Sequence, residues 1–155
     1  MKQYAPAIRD FVAGGGRYIG FCLGAYLAGP KMGFNMLPEN DNVGEEVDSD
    51  HAQVKNYDDT VIQVDWTFSA GSKKGTTSKK QWLYFQDGAV MKLADSSPAR
   101  VLGRYSANDD VAASLSRFGE GWVGLIGPHP EATNGWCKFR PLNPLPPVYL
   151  NEGSR

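Results

Sequence analysis

The sequence predicts an α/β fold with parallel strands, and three observations support this class. A helix, a short strand, a sharp turn and a second helix follow one another before Gly29, which is the local pattern of parallel α/β folds. Short apolar segments separated by glycine and aspartate turns, as strands often are, fill much of the remaining chain. The 155 residues are enough for one domain with its own hydrophobic core.

The N-terminal unit is defined by apolar periodicity and by glycines. A helix is predicted over Ala5 to Ala13, because its apolar residues share one face and Pro6 suits a first helical turn. Gly14 to Gly16 would end that helix and turn the chain. Arg17 to Phe21 is then predicted as a short buried strand, and Leu23 to Ala28 as the second helix.

A β-rich part follows a polar stretch. Phe34 to Asp59 is rich in Asn, Asp, Glu and Gly, which predicts a long excursion or a poorly ordered region. Beyond it, alternating apolar and polar residues predict strands, the first two forming a hairpin with a long tip. Residues 141–155 are predicted to be a Pro-rich tail, so the domain is expected to span residues 1–140. The predicted strands are Val61–Phe68, Gln81–Gln86, Ala89–Leu93, Arg100–Tyr105, Val111–Phe118 and Gly121–Ile126.

Composition and charge argue against several kinds of partner. The formal net charge is -1, whereas binding to nucleic acid or to an anionic membrane requires a strong basic excess. No apolar run could span a bilayer and the N-terminus carries no signal peptide, so a cytoplasmic location is expected. Two cysteines do not make a disulfide framework, and no cluster of residues has the spacing of a metal site. We therefore expect a protein without metal or cofactor.

Cys22 is the first candidate catalytic residue, because it lies at the sharp turn between the predicted strand and the second helix. Gly20 and Gly24 stand two residues before and two after it, where small residues avoid clashes in a strained elbow. A thiol in such a turn is a candidate nucleophile, and the backbone N–H of Leu23 is a candidate oxyanion donor. A free cysteine is also a common small buried hydrophobe, so the motif alone leaves both interpretations open.

His129 and Glu131 are the candidate partners of that thiol. His129 follows the strand Gly121–Ile126, and catalytic groups in open α/β sheets collect at the carboxyl ends of strands. Glu131 stands two residues further on and could hold the imidazole in one tautomer. Taken alone, His129 could equally be a turn histidine at a strand end, and Glu131 a first-turn helix carboxylate. His51 lies in the polar stretch and is predicted to be solvated.

The remaining polar features are predicted to be structural. The lysines between positions 73 and 80 form a basic loop without interleaved aromatic residues, which is typical of a solvated hairpin tip. Asp87 precedes Gly88 and is predicted to be a turn former, with a smaller chance that it faces the active site. Cys137 has no comparable context and is predicted to be an ordinary thiol.

These motifs resemble a known family. The segment G-R-Y-I-G-F-C-L-G-A-Y-L-A-G, which contains Cys22, is similar to the nucleophile segment of class I glutamine amidotransferase-like domains. The similarity is closest to the type found at the N-terminus of eukaryotic biotin-protein ligases. The segments V-D-W, W-L-Y-F-Q-D-G-A, V-L-G-R-Y and G-W-V-G-L-I-G-P-H-P-E-A fit the same type.

The resemblance implies both a fold and an activity. The implied fold is flavodoxin-like, a mostly parallel sheet with a β-hairpin insertion. The implied triad is Cys22 as nucleophile, His129 as general base and acid, and Glu131 as the orienting carboxylate. In the family this triad hydrolyses glutamine through a thioester and releases ammonia, so a small-molecule amide is the expected substrate.

This chain departs from the family at its N-terminus, and functions other than catalysis remain open. Family members carry upstream strands and a Gly-rich loop that are not in this chain, so the domain is expected to be N-terminally incomplete. An upstream or separate polypeptide is then expected to complete the sheet. The alternatives to an enzyme are a non-catalytic regulatory or ligand-binding module that retains the elbow structurally, and a fragment that does not fold stably alone.

Overall fold

The computed structural model describes residues 2–31, 33–133 and 136, which form two short α-helices and eight strands. Both predicted helices are confirmed at the predicted bounds, and each of the predicted strands has a counterpart. None of the helices in this described part of the chain combines the length and the apolar character that crossing a bilayer requires. The elements are α1 (Ala5–Ala13), β1 (Arg17–Phe21), α2 (Leu23–Ala28), β2 (Asn42–Glu45), β3 (Thr60–Thr67), β4 (Thr77–Phe85), β5 (Ala89–Lys92), β6 (Arg100–Tyr105), β7 (Val111–Phe118) and β8 (Gly121–Ile126).

Six strands form one mixed sheet in the order β1-β8-β7-β6-β3-β4. Among these neighbours, β1 and β8 run parallel and the other four pairs are antiparallel. The predicted mostly parallel, flavodoxin-like sheet is therefore wrong. The reason lies in the connections: the links from β6 to β7 and from β7 to β8 are short turns, which can join only antiparallel neighbours.

The parallel pair determines where the site lies. β1 and β8 are paired from Arg17 opposite Trp122 to Phe21 opposite Ile126, so their carboxyl ends meet at one edge of the sheet. Cys22 follows β1 directly and His129 lies three residues beyond β8. Residues that are more than a hundred positions apart in the sequence are thereby brought to the same place.

A second, two-stranded sheet was not predicted as such. It pairs β2 with β5 in antiparallel register, with Asn42 opposite Lys92 and Glu45 opposite Ala89. β2 lies within the polar stretch that was predicted to be an excursion or poorly ordered. A 3₁₀ turn, Glu46–Asp48, follows it and has Glu46 and Val47 buried. The polar stretch therefore contributes structure to the domain.

The hydrophobic core has two parts. In the first, Val12 from α1 and Ala25 from α2 pack with Val123 and Leu125, the inward-facing residues of β8. In the second, side chains of β3, β4 and β6 pack together, and the Tyr105 hydroxyl donates a 2.7 Å hydrogen bond to the Ala89 carbonyl. Residues that are fully or almost fully buried in this second part are Ile62, Val64, Phe85, Val90, Tyr105 and Ala112.

β1 forms one edge of the six-stranded sheet, with β8 as its neighbour in the described part of the chain. Ile19 on this strand is 63% exposed, and Phe11 of α1 and Leu23 of α2 are also exposed. β4 forms the other edge, so a polypeptide that extends the sheet would pair along β1 or along β4. That partner remains a prediction, as does the Pro-rich tail, which lies outside the described residues.

Candidate active site

Cys22 lies at a strained turn that joins β1 to α2. Its φ and ψ of 46° and -109° are unusual for a residue that carries a side chain. The Cys22 N–H donates a 2.9 Å hydrogen bond to the Ile126 carbonyl, which extends the pairing of β1 with β8 by one residue. The Cys22 carbonyl already accepts from the Ala25 N–H at 2.8 Å, as at a helix start. The main chain therefore turns from strand to helix at Cys22.

Gly20 and Gly24 have different steric environments in this turn. A Cβ at Gly20 would collide with the carbonyl group of Gly24 and stand 2.9 Å from the Ala25 nitrogen. A Cβ at Gly24 would meet nothing closer than the Tyr18 hydroxyl, at 3.7 Å. That hydroxyl donates a 2.7 Å hydrogen bond to the Gly24 carbonyl. Close approach of two main-chain segments thus requires glycine at position 20, whereas position 24 has room for a side chain.

We expect Gly20→Ala to lower the free energy of unfolding by about 2 kcal/mol, because the new methyl group would press on main-chain atoms of α2. Gly24→Ala is the matched control within the same turn. It is expected to be neutral or to stabilise by up to about 1 kcal/mol, since alanine favours a helix. Urea denaturation of both variants measures the difference, and an equal loss in both would contradict the steric explanation.

His129 is held by a strand contact and by two aromatic rings. The main-chain N–H of His129 donates a 2.9 Å hydrogen bond to the Tyr84 carbonyl, so the histidine forms an isolated antiparallel bridge with β4. The imidazole centroid lies 5.6 Å from that of Tyr84 and 5.3 Å from that of Trp136. These contacts leave the side chain 15% exposed and restrict its orientation.

The imidazole of His129 is hydrogen-bonded to a carboxylate and interacts with the thiol of Cys22. His129 Nδ1 lies 2.7 Å from Glu131 Oε1, and the carboxylate side chain is 39% exposed. The interaction with the Cys22 side chain is the largest cause that raises the pKa of His129, and the hydrogen bond to Glu131 raises it further, while burial opposes both. His129 is therefore hydrogen-bonded to Glu131, and the Cys22 side chain is close enough to influence the imidazole.

The Cys22 sulfur also has carbonyl neighbours that the sequence did not indicate. Sγ lies 3.5 Å from the Gln86 carbonyl oxygen and 3.9 Å from that of Asp87. The Tyr26 hydroxyl donates to the Asp87 carbonyl at 3.3 Å. Asp87 itself has a positive φ of 48°, as expected for a turn former, and it also faces the cavity around the thiol. The turn after β4 is therefore part of the site.

A cavity of about 820 Å³ opens over Cys22. It lies between the elbow, the turn after β4 and the two-stranded sheet, and it carries three carboxylates and two lysines. The sequence did not indicate Glu45 or Asp48 as site residues, because they are in the polar stretch and no motif marks them. The charged and aromatic side chains that line the cavity are Tyr26, Lys31, Glu45, Asp48, Tyr57, Asp87 and Lys92.

The other residues considered from the sequence are Leu23, which lines this cavity, and His51 and Cys137. Leu23 is the first residue of α2, so its N–H has no acceptor within the helix and could face a reacting oxyanion. His51 is exposed and does not line the cavity. Within the described ranges, no three His, Cys, Asp or Glu side chains are grouped as a metal site would require. Cys137 lies outside the described residues.

Residues 1–51 match the family model for the N-terminal domain of biotin-protein ligase. The match covers α1, β1, α2 and β2, and so includes Cys22 and Glu45. It ends before His129 and Glu131. The resemblance to the biotin-protein ligase type is thus supported for the segment that carries the elbow, and the wider class of glutamine amidotransferase-like domains is not. No match was found among curated proteins.

Solved structures with a similar arrangement include two β-galactosidases and a bacterial protein. Gan42B, a GH42 β-galactosidase from G. stearothermophilus, aligns with a TM-score of 0.49 at 17% identity, covering 82% of this chain and 17% of that chain. The β-galactosidase from Bacillus circulans sp. alkalophilus gives 0.48 at 14%, covering 81% and 18%. A cytoplasmic protein of Salmonella typhimurium LT2 gives 0.44 at 15%, covering 79% and 48%. This chain therefore spans less than half of each of these proteins, and likeness at this level identifies no activity.

Proposed function

We propose that this domain cleaves amides or transfers acyl groups through a thioester on Cys22, as a module related to the N-terminal domain of biotin-protein ligase. The observation that carries the proposal is the 2.7 Å contact between His129 and Glu131, together with a thiol that interacts with His129, lies at a strained turn and lines a cavity. A nucleophile, a base and a group that orients the base are the parts that covalent acyl transfer needs.

The proposed reaction has two steps. In the first, His129 takes the thiol proton, the sulfur of Cys22 attacks the carbonyl carbon, and a C–S bond forms. The C–N bond then breaks, and the leaving amine takes its proton from the imidazolium. In the second step His129 removes a proton from water, the hydroxide attacks the thioester, and the C–S bond breaks to release the acid and restore the thiol. Glu131 keeps the imidazole oriented and stabilises its charged form in both steps.

The negative oxygen that forms in each step needs hydrogen-bond donors. Leu23 N–H lies directly after the nucleophile at the start of α2, where it is free of an intrahelical acceptor. Removing one such donor from an enzyme costs roughly a hundredfold to a thousandfold in rate. The proposed role of Leu23 belongs to its main chain, and its side chain is 64% exposed.

The alternative is a binding module that keeps the elbow for structural reasons. The observation that favours it is the pair of carbonyl oxygens, from Gln86 and Asp87, beside the sulfur. A protonated thiol can donate to a carbonyl oxygen, whereas a thiolate cannot. The sulfur can therefore interact with these carbonyl oxygens as a thiol or with His129 as a thiolate. Whether Cys22 reacts as a nucleophile distinguishes the two functions.

The proposal predicts an acyl-enzyme on Cys22. Incubation with p-nitrophenyl acetate should give acetylated Cys22 in the intact-protein and peptide mass spectra, together with steady release of p-nitrophenolate. Cys22→Ala should abolish both signals, because neither of the other two proposed catalytic residues, His129 and Glu131, can form a thioester. His129→Ala should lower the rate of release by about a hundredfold or more, the contribution expected of general acid and base catalysis.

Two controls separate catalysis from non-specific acetylation. Cys137→Ser should behave as the wild type, and the circular dichroism spectrum of Cys22→Ala should match that of the wild type. Turnover that persists in folded Cys22→Ala would contradict the proposed enzyme. Acetylation of Cys22 without turnover in the wild type would favour the binding module.

A further inference from the structure

The indole ring of Trp136 lies against the imidazole of His129. The two ring centroids are 5.3 Å apart and the ring planes are tilted by 51°. The indole also contacts the Tyr84 ring edge to face, with centroids 5.4 Å apart, and the Tyr84 ring lies 5.6 Å from the imidazole. Each of the three rings therefore contacts the other two, at separations typical of paired aromatic rings.

Main-chain hydrogen bonds hold the two rings on either side of the imidazole in the chain. The Ala132 N–H donates a 3.2 Å hydrogen bond to the His129 carbonyl, and the Trp136 N–H donates a 3.0 Å hydrogen bond to the Thr133 carbonyl. These turns return the chain to His129 after β8. Tyr84 belongs to β4, which is bridged to the main chain of His129. Both rings are thus placed relative to the imidazole by the backbone.

Trp136 contributes to the surroundings of His129 rather than to the hydrophobic core. It is 46% exposed and is not among the residues of either part of the core. The imidazole that it contacts is only 15% exposed. Because the free energy gained by burial scales with the apolar area removed from water, a half-exposed indole gains less than a core residue does. Its contact with the imidazole is the feature that a role in catalysis would explain.

The orientation of the imidazole determines which of its nitrogens can accept a proton. Nδ1 lies 2.7 Å from Glu131 Oε1, so in the neutral ring this hydrogen bond favours a proton on Nδ1 and leaves Nε2 as the acceptor. Rotation of the ring by half a turn would exchange the two nitrogens. The Glu131 side chain is 39% exposed, so water competes for its hydrogen bond. The neighbouring aromatic rings restrict the rotation that the carboxylate alone would leave open.

We propose that Trp136 is a positioning residue of this site, which holds the His129 imidazole with Nδ1 towards Glu131 and Nε2 available to the thiol of Cys22. The inference rests on the proposed function, because a fixed orientation serves catalysis only if His129 activates the thiol. Trp136 acts through the imidazole, so its effect on the thiol should disappear when the imidazole is absent.

The first test measures the alkylation rate of Cys22 by iodoacetamide in Trp136→Ala and Trp136→Phe. Added N-acetylcysteine is the reference thiol, because Cys137 is next to the substituted residue. At about pH 6.5, where the thiolate depends on a protonated imidazole, Trp136→Ala should be about threefold to tenfold slower than the wild type. Trp136→Phe keeps an aromatic ring and should stay within about twofold of the wild type. At about pH 9.5, where an ordinary thiol is already ionised, both variants should react within about twofold of the wild type.

A double-mutant comparison tests whether Trp136 acts through His129. In the His129→Ala background, Trp136→Ala should change the rate at about pH 6.5 by less than about twofold, because residues that act through one another are not additive. Trp122→Ala is the matched control. Trp122 packs against the Arg117 guanidinium at the other end of β8, and its loss should leave the pH profile unchanged. Circular dichroism checks that each variant is folded.

Nitrogen NMR of the imidazole tests the orientation without reference to the thiol. When neutral, His129 of the wild type should be mainly the Nδ1–H tautomer, whereas Trp136→Ala should shift it towards the Nε2–H tautomer that a free imidazole favours. The chain has two histidines, so His51→Ala assigns the signals. This measurement on the wild type and on Trp136→Phe remains decisive even if Trp136→Ala does not fold.

The outcomes separate this inference from the proposed function. A slowing by Trp136→Ala that is equal at both pH values, or that persists in full without His129, would overturn the positioning role. A wild type in the Nε2–H tautomer would overturn it as well. If alkylation depends on His129 but not on Trp136, the proposed function stands and the inference is wrong. If the tautomer depends on Trp136 but alkylation does not depend on His129, Trp136 orients the imidazole and the proposed enzyme is wrong.

Discussion

Replacing His129 with alanine should slow the alkylation of Cys22 at about pH 6.5 by about tenfold to a hundredfold. The reason is the interaction between the two side chains, which together with the hydrogen bond to Glu131 raises the pKa of His129. A protonated imidazole next to the sulfur stabilises the thiolate, which is the form that reacts. As the pH rises through the raised pKa of His129, the imidazolium is lost and the advantage over an ordinary thiol should shrink.

Iodoacetamide labelling followed by peptide mass spectrometry gives this rate over a range of pH. Cys137 reports the intrinsic reactivity in the same tube, and His51→Ala is the matched control, because His51 is exposed and does not line the cavity. Glu131→Gln should give a smaller loss than His129→Ala, since an amide oxygen can still accept from Nδ1 but carries no charge. Equal rates at Cys22 and Cys137 in the wild type would show that His129 and Glu131 do not activate the thiol of Cys22.

Local structure was predictable because its signals lie within a few residues. The bounds of α1 and α2 follow from apolar periodicity and from the glycines that flank them, and the elbow follows from Gly20 before Cys22. The direction of strand pairing has no such signal. β1 pairs with β8, more than a hundred residues away, and alternation of apolar residues is the same in parallel and antiparallel strands. The sheet was therefore misassigned although its strands were located.

The residues of the site likewise fall into those that the sequence predicts and those that it does not. Cys22 and His129 could be predicted together, because both follow strands and the carboxyl ends of parallel neighbours meet. Glu45 and Asp48 could not, since β2 reaches the cavity through its pairing with β5, across roughly fifty residues of chain. Within a stretch that is acidic throughout, nothing local distinguishes the carboxylates that face the thiol from those that face solvent.

The second prediction concerns Glu46 and the pH dependence of stability. It is the first residue of the 3₁₀ turn and is fully buried. Its Oε1 accepts a 2.9 Å hydrogen bond from Asn108, whereas Oε2 is buried without a partner in the described part of the chain. Burial is the main cause that raises the pKa of Glu46 from 4.5 to about 7, and the nearby charge of Asp110 adds to it.

The sign of the effect follows from proton binding. Between pH 4.5 and about 7 the folded protein keeps the Glu46 proton that the unfolded chain releases. Because the folded state binds more protons in this range, rising pH lowers the stability, and above about 7 the loss from this group is complete. A shift of this size corresponds to at most roughly 3.5 kcal/mol. The wild-type protein is thus expected to be more stable near pH 4.5 than near pH 8 as far as Glu46 is concerned.

Glu46→Gln should remove this pH dependence. The amide oxygen can accept from Asn108 as the carboxyl does, but the amide N–H₂ adds buried donors that cost about 1 kcal/mol if unpaired. The variant should therefore be about 1–2 kcal/mol more stable than the wild type near pH 8, and equal to it or up to about 1 kcal/mol less stable near pH 4.5. Urea denaturation at the two pH values measures both differences.

Glu39→Gln is the matched control, and its stability should differ little from that of the wild type at both pH values because Glu39 is exposed. A difference between Glu46→Gln and the wild type that is the same at both pH values would contradict the raised pKa. A reversal of sign in the expected direction would show that the turn carrying Glu45 and Asp48 is held by a carboxyl group that stays protonated.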